Sequence, residues 1–177
     1  DIVTYPERYM NNINENVCAD GRRIWMTWTN KPIYDDTGQV TEILAVGSDI
    51  TSLKLAEDAL SQSEERYRTL FETMTEAFAL HEIITDAQGK PCDYRFLDVN
   101  PAFERITGMK RADLVGKRVL QVLPRTESHW IENYGHVALT GEPLDMENYS
   151  AALGRWYEVF AYRPAPGRFA VIFSDIT

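Results

Sequence analysis

Cysteine is nearly absent: the chain has Cys18 and Cys92, far apart and outside any C-x-x-C spacing. That excludes a disulfide framework and a thiolate metal site, fits a reducing compartment, and leaves each thiol to be read as a small packed apolar residue. Long apolar runs are missing as well. The longest, such as Ile43-Leu44-Ala45-Val46, fall far short of the ~18 residues a membrane span needs, and the first residues lack the basic-then-apolar pattern of a signal peptide. The expectation is a cytoplasmic chain with no direct membrane insertion. Positive charge is scarce, with 18 Lys and Arg against 27 Asp and Glu, a net charge of −9, and no basic cluster longer than Arg22-Arg23. Such a surface repels phosphate backbones, so nucleic acid is excluded as a partner. There is no G-x-x-x-x-G-K loop, no G-x-G-x-x-G, and no paired carboxylates or nucleophile–base pair, so no catalytic residue is assigned and the chain is not read as an enzyme. What is present is an ordinary globular balance over 177 residues, 44% hydrophobic and 25% charged, enough for one domain or slightly more.

The chain repeats itself. Gly47-Ser48-Asp49-Ile50-Thr51 returns at the end as Phe173-Ser174-Asp175-Ile176-Thr177. Upstream of each S-D-I-T lie an apolar strand, a turn and a Trp-containing strand, Ile24-Trp25-Met26-Thr27-Trp28 in one copy and Trp156-Tyr157-Glu158-Val159-Phe160 in the other. The first hairpin is about five residues longer, and it turns at Asp35-Asp36-Thr37-Gly38 where the second turns at Pro164-Ala165-Pro166-Gly167.

The second copy is preceded by a hairpin, Phe78 to Thr85 and Tyr94 to Val99, turning at Asp86-Ala87-Gln88-Gly89-Lys90-Pro91. Asn100-Pro101 then supplies an N-cap and a first-turn proline to a short helix that stops at Gly108. Short helical pieces are predicted over Arg111 to Val115 and Val119 to Leu123, and a longer helix over Glu127 to Leu139, closed by Gly141. Strands over Pro143 to Ala151, Trp156 to Arg163 and Arg168 to Ser174 complete an α+β unit with a five-stranded antiparallel sheet. Between the copies, Leu53, Ala56, Leu60, Ser63, Tyr67, Leu70 and Met74 recur at steps of three and four with no Gly or Pro, which predicts an amphipathic helix of about six turns over 52–74. Its seam either joins two copies of the chain as a homodimer or packs on the chain's own domain.

These residues resemble the PAS sensor family. The resemblance rests on Asp98-Val99-Asn100-Pro101-Ala102-Phe103 with Thr107-Gly108, on Leu114-Val115-Gly116-Lys117, on Leu139-Thr140-Gly141-Glu142-Pro143 and on both D-I-T endings. It implies a complete PAS domain over residues 75–177, reaching back to about Tyr67. Before it come a coiled-coil linker helix over 52–74 and, over 1–51, the C-terminal half of a first PAS domain with strands around Tyr9 to Cys18, Ile24 to Pro32 and Val40 to Ser48. It also implies a regulatory function: a tandem sensor region of a two-component histidine kinase or a diguanylate cyclase, relaying a ligand or redox signal to an effector. No GGDEF-like segment is found, and His81-Glu82-Ile83, which superficially looks like a phosphoacceptor box, lies in a strand-like run.

The resemblance leaves the cofactor unknown. The place matching the cysteine of photoactive flavin domains, Gly116-Lys117-Arg118-Val119-Leu120-Gln121, has none, and haem stays open through His129 or His136. His129, Glu132 and His136 share a helix face, but three ligands on one helix do not close a compact metal site, and a solvated face explains them equally. A small-molecule pocket between the long helix and the sheet is the remaining expectation, with Trp130, Tyr134, Asn148, Tyr149, Trp156, Phe160 and Phe173 as candidate lining; the same aromatics could equally fill the core. Asp49, Thr51, Asp175 and Thr177 are the candidate relay residues. Two rivals remain: a ligand-free interaction module, and a small α+β cavity enzyme built on His81 and Asp98.

Overall fold

A computed structural model describes residues 10–177; Tyr9 and the opening of the expected 1–51 segment lie outside the described residues. The chain divides into two compact units, residues 1–66 and 67–177. In the first, strands β1 (Asn11–Val17), β2 (Arg23–Tyr34) and β3 (Val40–Asp49) form an antiparallel sheet in the order β1-β2-β3. The longer hairpin tip is built as its Asp and Gly residues require. One Asp35 carboxylate oxygen accepts from the Thr37 amide, the Thr37 hydroxyl and the Gln39 amide, and Gly38 supplies a φ of 81°.

Helix α1 runs over Thr51–Thr73, without a buried residue, and the seam positions Leu53, Leu60, Tyr67 and Leu70 are exposed. The division between the two units falls inside this helix, so its C-terminal turns belong to the second unit rather than to a separate linker.

The second unit is a five-stranded antiparallel sheet in the order β5-β4-β8-β7-β6. Its strands are β4 (Ala77–Thr85), β5 (Pro91–Val99), β6 (Leu144–Ser150), β7 (Arg155–Tyr162) and β8 (Arg168–Asp175). Between β5 and β6 lie α2 (Pro101–Thr107), α3 (Arg111–Leu114), α4 (Val119–Val122) and α5 (Ser128–Thr140). The element order matches the reading of the sequence, and several ends move by a residue or more. Expected strand Tyr94 to Val99 starts at Pro91, and Glu127, expected as the first residue of the long helix, is its extended N-cap. The core lies between the sheet's inner face and the helices, with Phe169, Leu114, Val99, Val119 and Val137 fully buried. Each such side chain stabilises the fold by roughly 1.5–3 kcal/mol relative to exposure.

The two D-I-T segments share three matching hydrogen bonds. In the first unit the Asp49 carboxylate accepts from the Thr51 amide (2.9 Å) and hydroxyl (2.6 Å), and Thr51 Oγ1 accepts from the Trp25 amide (2.9 Å). In the second, Asp175 accepts from the Thr177 amide (3.0 Å), and Thr177 Oγ1 accepts from the Trp156 amide (3.0 Å). The Ile50 and Ile176 amides donate to the carbonyls of those same tryptophans, at 2.8 and 3.0 Å. Register agrees as well: Met26 faces Asp49 as Tyr157 faces Asp175.

Asn100 does more than cap a helix. Its side-chain oxygen accepts from the Phe103 amide in α2 and from the Phe78 amide in β4, both at 2.9 Å, and its Nδ2 donates to the Glu76 carbonyl at 3.0 Å. Asn100 is completely buried. Asn100→Ala leaves those three backbone groups without their partner, at about 1–3 kcal/mol for each one that stays buried. Denaturant unfolding of the variant is expected to show a loss of about 3 kcal/mol or more; a loss below about 1 kcal/mol would show that water replaces the amide.

Candidate functional site

Period-two alternation decides which side chains look inward. On β4 the inward set is Ala77, Ala79 and His81, all buried; on β7 it is Tyr157, Val159 and Ala161. Two alanines on β4 and one on β7 leave the larger neighbours to frame the space under the helices. There a partly open cavity of about 90 Å³ lies between sheet and helices. The sheet contributes His81, Tyr94, Phe96, Tyr157, Val159, Val171 and Phe173 to its wall, and the helical side contributes Phe103, Thr107, Met109, Leu123, Thr126, Trp130 and Tyr134. Ser150, at the end of β6, and Leu153, between β6 and β7, complete the lining. None of the lining side chains carries a full charge.

His81 is packed among rings, stacked on Phe169 at 4.7 Å and edge-on to Tyr94 at 4.9 Å. Burial disfavours its protonated form and pushes its pKa down to about 3, so the imidazole is neutral at physiological pH. Burial likewise raises the Tyr94 and Tyr134 phenols. Among the described residues, five buried side-chain N or O atoms lack a hydrogen-bond partner, and three of these, His81 Nδ1, Trp130 Nε1 and Tyr157 OH, belong to residues that line the cavity. An unpaired buried polar group costs about 1–3 kcal/mol.

Of the seven expected lining residues, Trp130, Tyr134 and Phe173 line the cavity. Asn148 bonds instead to His129 Nε2 at 3.0 Å, outside the wall. Tyr149, Trp156 and Phe160 are corrected: they are 41%, 49% and 43% exposed. Trp156 and Phe160 share one parity of β7, and Tyr157 and Val159 share the other. Because β7 has aromatic residues of both parities, hydrophobic alternation in the sequence does not say which set faces in. The residues that sequence reading missed, Tyr94, Phe96 and Tyr157 among them, were signalled only by the matching parity of Tyr94 and Phe96 on β5.

Other expectations resolve locally. Asp98 does not share the cavity with His81. It faces Leu80 across the sheet and holds Arg111 Nε at 2.6 Å, so the cavity-enzyme pair is not assembled. His129, Glu132 and His136 turn to separate partners, Asn148, Lys90 and Glu142. Cys92 is exposed at the start of β5 rather than packed, and Cys18 is half-buried. The wall contains neither His129, His136 nor a cysteine, so it offers haem neither of the expected histidine ligands and offers a flavin no thiol for adduct formation. At the two D-I-T segments, hydrogen bonds from Thr51 and Thr177 hold the Asp49 and Asp175 carboxyls below the usual range, and Arg155 adds a 2.6 Å contact to Asp175. Among the described residues, no helix is long and apolar enough to cross a membrane.

Residues 65–138 match the family described as PAS domain. A curated relative, hybrid signal transduction histidine kinase E of Dictyostelium discoideum, is 26% identical over 95 residues, which cover 54% of this chain and 5% of that protein. The chain thus matches only a small part of that relative's length. Among solved structures, the PAS domain of an HTR-like protein from Haloarcula marismortui superposes with a TM-score of 0.50 at 19% identity, covering 70% of this chain and 99% of that one. A domain of a sensory box sensor histidine kinase/response regulator from Geobacter sulfurreducens gives 0.49 at 22% identity, covering 66% and 96%. The Haloarcula likeness shows a shared fold.

The buried imidazole makes stability depend on pH. Folded His81 stays neutral down to about pH 3, whereas the unfolded residue takes up a proton near the ordinary histidine value of 6.5. Between those values the unfolded chain binds more protons, so the stabilisation is present above 6.5 and is lost as pH falls. From neutral pH to about pH 5 the protein should lose about 2 kcal/mol that a His81→Leu variant does not lose. Urea unfolding at several pH values measures this; parallel slopes for the two proteins would contradict it.

Proposed function

Since residues 65–138 carry a domain of the PAS family, we propose that the chain is a sensory, non-catalytic module that holds a small ligand in the cavity of the 67–177 unit and relays its presence to an effector in a longer signalling protein. The observation that carries this reading is the course of β7 and β8. Tyr157, Val159 and Phe173 line the cavity, and the strands that bear them end in the Asp175–Thr177 clasp. A ligand seated there touches the strands whose far end the clasp fixes. It can bias the clasp only by binding one arrangement more tightly than the other.

The first copy supplies the geometry of the outgoing step. Asp49 and Thr51 make the same bonds, and Thr51 is also the first residue of α1, so strand end and helix start share one hydrogen-bonded corner. The three shared bonds support reading residues 10–49 as the last three strands of a first PAS copy, with α1 leaving it and ending inside the second unit. The exposed seam of Leu53, Leu60, Tyr67 and Leu70 supports a homodimer through that helix. The histidine kinase activity of the Dictyostelium relative favours a kinase as the effector.

One observation favours a second role, as an interaction module. Tyr149 and Trp156 pair at 5.8 Å on the outer face of the sheet, where Phe160 is also exposed. The ligand-relay reading is preferred because it accounts for the cavity. In the longer protein, Asp49→Ala is expected to leave the melting temperature within a few degrees and to abolish the effect of the first domain on effector output. Unchanged regulation in a folded variant, measured by an output assay beside circular dichroism, would count against the relay.

A further inference from the structure

The three unpartnered atoms of the cavity come from separate elements, His81 from β4, Trp130 from α5 and Tyr157 from β7, and each residue is at least nine-tenths buried. Native interiors leave few such groups unpaired, so their concentration around one void calls for an occupant. The threonine and serine hydroxyls of the wall are engaged: Thr107 and Thr126 donate to the Phe103 and Leu123 carbonyls, both at 2.8 Å, and Ser150 Oγ accepts from the Leu153 amide at 3.3 Å. The wall also carries the phenols of Tyr94 and Tyr134, but the three unpartnered atoms are the ones an occupant would have to satisfy. Trp130 Nε1 only donates; Tyr157 OH donates or accepts; His81 Nδ1 donates or accepts according to its tautomer.

Charge is ruled out by the wall. No Asp, Glu, Lys or Arg lines the cavity, so an ionic ligand would lose its hydration without a counter-charge, and His81 is held neutral by its aromatic neighbours. Shape and size add two limits. The rings of Phe96, Phe103, Tyr134 and Phe173 favour a flat molecule, and about 90 Å³ suits one about the size of a single small ring. Resting on the reading of this cavity as a ligand site, we propose that it binds one small, flat, uncharged molecule bearing a hydroxyl or carbonyl oxygen that accepts from Trp130 Nε1 and completes the hydrogen bonding of His81 or Tyr157.

Titration of the whole chain with phenol, benzene and benzoate, followed by the indole N–H resonances and by calorimetry, tests this. Phenol is expected to shift the Trp130 resonance and to bind about tenfold or more tightly than benzene, while benzoate leaves the resonance in place. Tyr157→Phe, which removes an unpaired hydroxyl and should keep or raise the melting temperature, is expected to lower phenol affinity several-fold without altering that of benzene. Trp130→Phe should do the same, read by calorimetry. Equal binding of phenol and benzene would overturn the polar-ligand assignment while leaving the cavity a ligand site, and tighter binding of benzoate would overturn the argument from charge. Failure of all three to bind would overturn both this proposal and the ligand-relay reading.

Discussion

A single buried amide holds the architecture of the second unit together. Asn100 sits where β5 ends and α2 begins, and its side chain also bonds backbone groups at the start of β4. A helix-capping residue normally satisfies one helical amide; here the same oxygen serves a neighbouring strand as well. The consequence is geometric. The chain leaves the sheet at a fixed point and angle, and Pro101, with no amide to satisfy, starts the helix immediately. Everything that follows, from α2 through α5, must then be laid over the inner face of the sheet before β6 returns to its edge. An apolar residue at position 100 would satisfy the packing and lose the corner.

The space so enclosed is an aromatic core that stops short of complete closure. Phe169 is fully buried and stacks on both His81 and Tyr134, while the alanines of β4 and β7 contribute little volume. A core built to maximise stability would fill such a gap with a larger side chain and would not place an imidazole, an indole N–H and a phenol at its margin without partners. Those atoms are a local sacrifice of stability of the kind that functional sites make. The same β7 and β8 strands that line the cavity also run out to the Asp175–Thr177 clasp, which is the path the proposed relay would take.

Much of this was legible in the residues. Asn-Pro followed by Phe103 and ended by Gly108 specifies a capped short helix from local chemistry alone, and the structure places a left-handed φ of 76° at that glycine. The duplicated S-D-I-T announced two equal corners because Asp and Thr bond locally, without help from distant residues. The lining of the cavity was less accessible. Trp156 and Phe160 look like pocket residues, but side-chain parity on β7 is set by pairing with β6 and β8, and a strand rich in aromatics of both parities hides it. His81 was singled out only as half of a cavity-enzyme pair with Asp98; nothing marked it as a wall of the ligand pocket, since a histidine among Leu80 and Ile83 reads equally as core. The division of α1 at Tyr67 was legible only through the family resemblance, which reached back to about that residue; the uninterrupted heptad itself shows no boundary.

The account turns on what occupies that cavity. A crystal structure of the freshly purified protein, grown without organic additives, addresses it directly. The expected result is density larger than a water molecule, lying at about 3 Å from Trp130 Nε1 and from at least one of His81 Nδ1 and Tyr157 OH. A cavity holding only water, or one closed by bonds from those three atoms to the protein itself, would contradict the claim that this core is built to hold a ligand.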